Sequence, residues 1–108
     1  HVAFETFTIE LFGDERQAMG ELVGLSQAVR AAVREADLVF FAGKTRLRCV
    51  FFGESRSGEA SGAGLDAREL ERRLVGCVNG YLKGREASGV IFKIEPERAT
   101  TAARREAA

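Results

Sequence analysis

Residues 33 to 46, VREADLVFFAGKTR, hold the side chains of this chain best suited to chemistry. Gly43-Lys44-Thr45 has the make-up of a phosphate-cradling loop, in which backbone N–H groups and a lysine hold phosphate oxygens. Such a loop needs an earlier glycine where this chain has Leu38, and a following helix whose N-terminus faces the phosphates. Apolar, strand-like runs flank the turn on both sides instead, so the phosphate-loop reading fails. Arg34 and Asp37 remain, spaced i,i+3 at the end of a helical pattern and therefore on neighbouring surface. A guanidinium beside a carboxylate is commonly a solvated ion pair worth under about 1 kcal/mol. It can also be a recognition fork, because arginine donates a two-pronged set of hydrogen bonds to O6 and N7 of guanine. The carboxylate would then accept from the N1 and N2 hydrogens on the other edge of the base.

Other chemistry lacks candidates. Cys49 and Cys77 lie in apolar runs rather than at metal-ligand spacing and read as reduced core residues of a cytoplasmic protein. His1 is the sole histidine, the serines have no base partner, and no two carboxylates are spaced for acid/base work. The phenylalanines read mostly as sheet core, without the clear pattern of exposed rings among basic residues that an RNA-binding sheet shows.

The elements that must carry these residues follow from patterning. The length of 108 residues fits one domain, and 45% apolar with 30% charged residues fits a soluble globular chain. Sixteen basic and sixteen acidic side chains cancel, so no bulk field draws in a nucleic acid polymer or an anionic membrane. No apolar run approaches the roughly 18 residues of a membrane span. Residues 2–12 alternate as a strand. Residues 15–36, capped by Asp14, carry apolar side chains at helical spacing, at Met19, Leu22, Val23, Leu25, Val29 and Val33. Residues 38–41 and 47–52 read as a hairpin turning on Gly43. GESRSGEASGAGLD is a flexible loop. Asp66 caps a helix running to about Lys83, with Leu70, Leu74, Cys77, Val78 and Tyr81 as its stripe, and SGVIFKIEP is a closing strand stopped by Pro96. The order strand, helix, strand, strand, helix, strand predicts a ferredoxin-like α+β sandwich over residues 1–97, with 98–108 as a flexible or helical tail. The abrupt start and stop suggest a piece of a larger protein.

The stretch from Arg34 to Gly43 resembles the diguanylate cyclase (GGDEF) family, in which an RxxD at a helix end precedes, by the same spacing, a hairpin carrying the signature. MGELVGLSQAVRAAVREADL is similar to the family's preceding helix, LRCVFF to the strand after the signature and VIFKIEP to a later strand. Topologically the resemblance spans residues 3–96, and residues 19–53 align directly. It implies that Arg34 and Asp37 form the family's inhibitory site for the product, cyclic di-GMP. It also implies a further arginine on the helix after the hairpin, which offers Arg68, Arg72 and Arg73, with Arg72 or Arg73 favoured.

The signature itself is degenerate. Thr45 and Arg46 stand where active members carry acidic residues, and they cannot supply the carboxylates that hold divalent cations against a triphosphate. The first strand has no securely placed equivalent of the family's metal-binding aspartate, and the substrate loop before the first helix is shortened. The expectation is therefore a catalytically inactive receptor, without metal or cofactor, that binds cyclic di-GMP through Arg34, Asp37 and Arg72 or Arg73. It would signal to attached domains or partners, a homodimer among them. Receptors of this kind serve exopolysaccharide secretion and biofilm control, which implies a membrane-associated bacterial parent. The rival expectation is a dimerisation or scaffolding domain of the same fold with a vestigial site.

Overall fold

The computed structural model describes residues 3–53 and 66–97. Most of the Gly/Ser-rich loop and the whole tail expected at 98–108 lie outside the described residues. The elements are β1 (Phe4–Phe12), α1 (Glu15–Ala32), β2 (Leu38–Gly43), β3 (Arg46–Phe52), α2 (Ala67–Leu82), a short 3-10 turn (Glu86–Ser88) and β4 (Ile91–Glu97). The strands form one sheet in the order β2-β3-β1-β4, with every neighbouring pair antiparallel. This is the ferredoxin-like α+β arrangement expected from the order of elements.

Period-two alternation sends Phe7, Ile9 and Leu11 of β1, and Leu47, Cys49 and Phe51 of β3, to the face covered by the helices. There they meet Leu22, Leu25 and Val29 of α1 and Leu74 and Val78 of α2. Asp14 accepts from the Gln17 N–H at the start of α1, and Asp66 accepts from the N–H groups of Arg68 and Glu69 at the start of α2. Both caps fall where the sequence places them.

Three details depart from the sequence pattern. Ala18 is buried, whereas Met19 and Val23 are 42% and 54% exposed. The sheet covers a narrower stripe of α1 than its apolar residues could fill, and the two large side chains fall beside it. Helix α1 ends at Ala32 rather than Ala36, for a reason that lies in the site described below. Pro96 does not stop the last strand but sits inside β4 opposite Phe7. An edge strand tolerates a residue without an N–H on its open side.

Among the described residues the other face of the sheet carries no helix. Its centre is a mesh of ion pairs: Glu10–Arg46 at 2.6 Å, Lys93–Glu95 at 2.9 Å and Arg48–Glu97 at 3.5 Å. Apolar residues lie towards its ends, with the rings of Phe4 and Phe52 edge-to-face at 6.3 Å on one side and Phe12 and Ile91 paired on the other.

Two glycines of α1 illustrate how the helices approach. A Cβ built on Gly24 would lie 2.1 Å from the Tyr81 hydroxyl of α2, while one on Gly20 meets nothing. Gly20→Ala is thus expected to stabilise the protein by about 0.5–1 kcal/mol through helix propensity. Gly24→Ala should forfeit that gain, because Tyr81 must swing away from its 3.1 Å hydrogen bond to Glu21. Urea denaturation of the two variants in parallel tests the contrast.

Candidate functional site

The segment from Val33 to Asp37 is built around the Asp37 side chain. Helix α1 hands over at Val33, whose N–H still reaches the Val29 carbonyl. The backbone then turns, with the Asp37 N–H donating to the Arg34 carbonyl at 3.0 Å. Asp37 Oδ2 accepts from the Arg34 N–H at 3.0 Å and from Arg34 Nε at 3.2 Å; Oδ1 accepts from Arg34 Nη2 at 2.9 Å and from the Phe52 N–H at 3.3 Å. Arg30 closes the turn from the last turn of α1, donating to the Asp37 carbonyl at 2.8 Å and the Arg34 carbonyl at 2.5 Å. By capturing the Arg34 N–H, the carboxylate takes a donor that a longer helix would have used, and so it ends α1.

Asp37 is 2% exposed and is the single buried charged residue among the described residues. Burial alone would raise its pKa, but hydrogen bonds from the Arg34 guanidinium and from the backbone N–H groups of Arg34 and Phe52 outweigh it and hold the carboxyl below its ordinary value. A carboxylate offers about four lone-pair positions, and protein donors fill them here. The sequence assigns Asp37 to a guanine edge; the structure commits both of its oxygens to Arg34 and Phe52. Its role in this arrangement is to orient Arg34.

Arg34 keeps 55% of its side chain exposed, and its guanidinium also donates to the Phe52 carbonyl. Bound in its own plane by Asp37, it lies on the wall of a groove of about 400 Å³ between the end of α1, β3 and α2. That is within the size range of small-molecule sites. Phe51, Leu70 and Leu74 give the groove an apolar lining, and Arg73 reaches it from α2. Arg73 has no ion-pair partner among the described residues. Arg72, one residue earlier and about 100° away around the helix, pairs with Glu69 and lines a separate shallow surface together with Arg68. Of the arginines expected on α2, only Arg73 converges on Arg34 and Asp37.

Both cysteines lie near this region. Burial pushes the Cys49 thiol up to about 12, and burial also raises that of Cys77, which lines the groove. Neither has the thiolate character of a nucleophile.

At the hairpin tip Thr45 and Arg46 are drawn onto Glu10. Thr45 Oγ1 donates to Glu10 Oε2 at 2.9 Å, and Arg46 Nε donates to Glu10 Oε1 at 2.6 Å. Burial tends to raise the Glu10 pKa, but the hydrogen bonds from Arg46 and Thr45 and the charges of Arg46 and Lys93 bring it below its ordinary value. Thr45 and Arg46 thus both engage the nearest carboxylate, Glu10. Among the described residues no group of three His, Cys, Asp or Glu side chains is placed to hold a metal ion. No helix among them is long and apolar enough to cross a membrane.

Sequence reasoning missed Arg30, whose i,i+4 spacing to Arg34 could have marked it, and the apolar groove wall from α2, which depends on how the helices pack. No family model, curated protein or solved structure matches this chain.

Proposed function

We propose that this chain is a catalytically inactive, GGDEF-like receptor domain whose groove binds a guanine dinucleotide, cyclic di-GMP. The observation that carries the reading is the convergence of Arg34 and Arg73, from elements 39 positions apart in sequence, on one apolar-lined groove. A guanidinium fixed in its plane offers its flat face to a purine, as arginines do in nucleic-acid recognition. Arg73 supplies a cation for a phosphate, and Phe51, Leu70 and Leu74 exclude water from the base. Arg34 then acts chiefly by stacking, with Asp37 holding the plane. The inactive character is supported by Thr45 and Arg46, which bring a hydroxyl and a cation where metal-assisted phosphoryl transfer needs acidic groups.

Calorimetric titration with cyclic di-GMP tests this. Saturable binding is expected, weakened at least about tenfold by Arg73→Ala, which removes a charge-assisted phosphate contact from an exposed side chain and leaves thermal unfolding unchanged. Arg72→Ala should bind like the parent. A flat titration of the parent chain sinks the receptor reading. The second reading, a scaffold with a vestigial site, is favoured by the closure of Asp37 around protein donors and would become the conclusion in that case.

A further inference from the structure

We propose that the outer edge of β2, which no described strand covers, is a self-pairing surface on which a second copy of this chain adds its own β2, antiparallel, across a two-fold axis. The inference stands apart from the ligand reading, because no residue of β2 lines the groove.

An open sheet has two edges, here β2 and β4. Among the described residues each leaves a row of backbone N–H and C=O groups without a strand partner, and proteins that remain monomeric guard such rows with charge and proline. β4 is guarded: Pro96 lies within it, and Lys93, Glu95 and Glu97 alternate along its uncovered face. β2 reads Leu-Val-Phe-Phe-Ala-Gly, without a charged side chain. Leu38, Phe40 and Phe41 are 48%, 42% and 55% exposed. The register irregularity between Phe41 and Gly43 lies at the hairpin end and leaves residues 38 to 41 in regular pairing with β3.

The geometry points to a second copy rather than to any available strand. Stacking β2 on the β4 edge of another molecule would meet Pro96 and the charged row, and would build an open fibre rather than a closed pair. A two-fold axis perpendicular to the sheet makes the paired strands antiparallel, keeps the helices of both copies on one side and requires opposed residues to share a face. Leu38 and Phe40 share the uncovered face with Val50 and Arg48, and Val39 shares the helix side with Cys49. A register centred on Phe40 therefore sets Phe40 against its own counterpart and Val39 against Phe41, within the regularly paired residues 38 to 41. Around the central ring pair, each larger side chain meets a smaller one. A fully covered phenylalanine buries roughly 150–250 Å², so Leu38, Phe40 and Phe41 of two copies bring roughly 500 Å² of side-chain surface. With the strand backbones the total approaches the roughly 1,000 Å² that a specific interface requires. The dimer is thus expected to be reversible rather than obligate, and the net charge of zero opposes it with no long-range repulsion.

Sedimentation velocity over a range of concentrations up to millimolar tests this on the full chain. The parent is expected to move from monomer to dimer as concentration rises. Phe40→Lys and Phe40→Glu, each placing like charges opposite one another, should weaken the dimer at least about tenfold with circular dichroism and melting temperature preserved. An equimolar mixture of the two variants should dimerise again, since each lysine then faces a glutamate. A parent that stays monomeric throughout overturns the proposal. So does a dimer that Phe40→Lys leaves undiminished, or a mixture of the two variants that associates no better than either alone.

Discussion

Asp37→Ala is expected to destabilise the fold by about 3 kcal/mol, because charge-assisted hydrogen bonds are lost and the buried N–H groups they satisfied are stranded. The Arg34 and Phe52 N–H groups would lose their acceptor, the turn after α1 would lose its organiser, and Arg34 would no longer be fixed above the groove. Arg34→Ala should cost less, about 1–2 kcal/mol, since the Asp37 carboxylate it leaves behind keeps the backbone N–H groups of Arg34 and Phe52 as donors. Such an asymmetry between the two members of one ion pair marks the carboxylate as the structural partner. The pH dependence follows from the lowered pKa of Asp37. A group whose folded pKa lies below its unfolded value stabilises the fold above the unfolded pKa, about 3.9 for aspartate, and loses that contribution as pH falls through the folded one. The parent should therefore weaken progressively below about pH 4, and Asp37→Asn should remove this part of the acid sensitivity. Urea midpoints from pH 2 to pH 7 measure it. Equal and small losses for Asp37→Ala and Arg34→Ala would reduce the pair to a surface contact.

Phe7→Ala carries the largest expected penalty, about 3–5 kcal/mol for a fully buried ring. Phe7 has no exposed surface and meets Phe51 edge-to-face at 5.9 Å. Since Phe51 lines the groove, the cavity left by Phe7 would open directly beneath it. Native domains hold only about 5–15 kcal/mol in total, so this variant should melt more than about 10 °C below the parent and bind any groove ligand poorly. Phe7→Leu fills most of the volume and should retain the majority of both properties. Calorimetric melting of the three proteins decides it; an unchanged melting temperature for Phe7→Ala would mean that the inner layer of the sheet is not packed as described.

The fold was legible because its signals are local. Alternation at Phe7, Ile9 and Leu11 names the buried face of β1 without reference to anything else, and Asp14 and Asp66 mark helix starts through side chains that act within one turn. The end of α1 was not legible on the same terms. Ala31, Ala32, Arg34, Glu35 and Ala36 are all good helix formers, and what stops the helix is an aspartate side chain that also reaches the Phe52 N–H of a strand fifteen residues further on. Periodicity likewise does not delimit the buried stripe of α1, since Met19 and Val23 match the spacing but fall beyond the edge of the sheet. Arg34 and Asp37 were identifiable as a pair; their division of labour was not, because it depends on donors that only the folded chain brings together. The choice between Arg72 and Arg73 turns on one step around α2, and it is the burial of Leu74 and Val78 against the sheet that sets that rotation.

The mesh of Glu10–Arg46, Arg48–Glu97 and Lys93–Glu95 has a consequence for how this molecule behaves in concentrated solution. Its cations and anions neutralise one another within a single molecule, so at neutral pH neighbouring molecules are not held apart by like charge. Colloidal stability then rests on hydration of these paired groups, and the bare strand edge beside them meets no electrostatic barrier when two molecules collide.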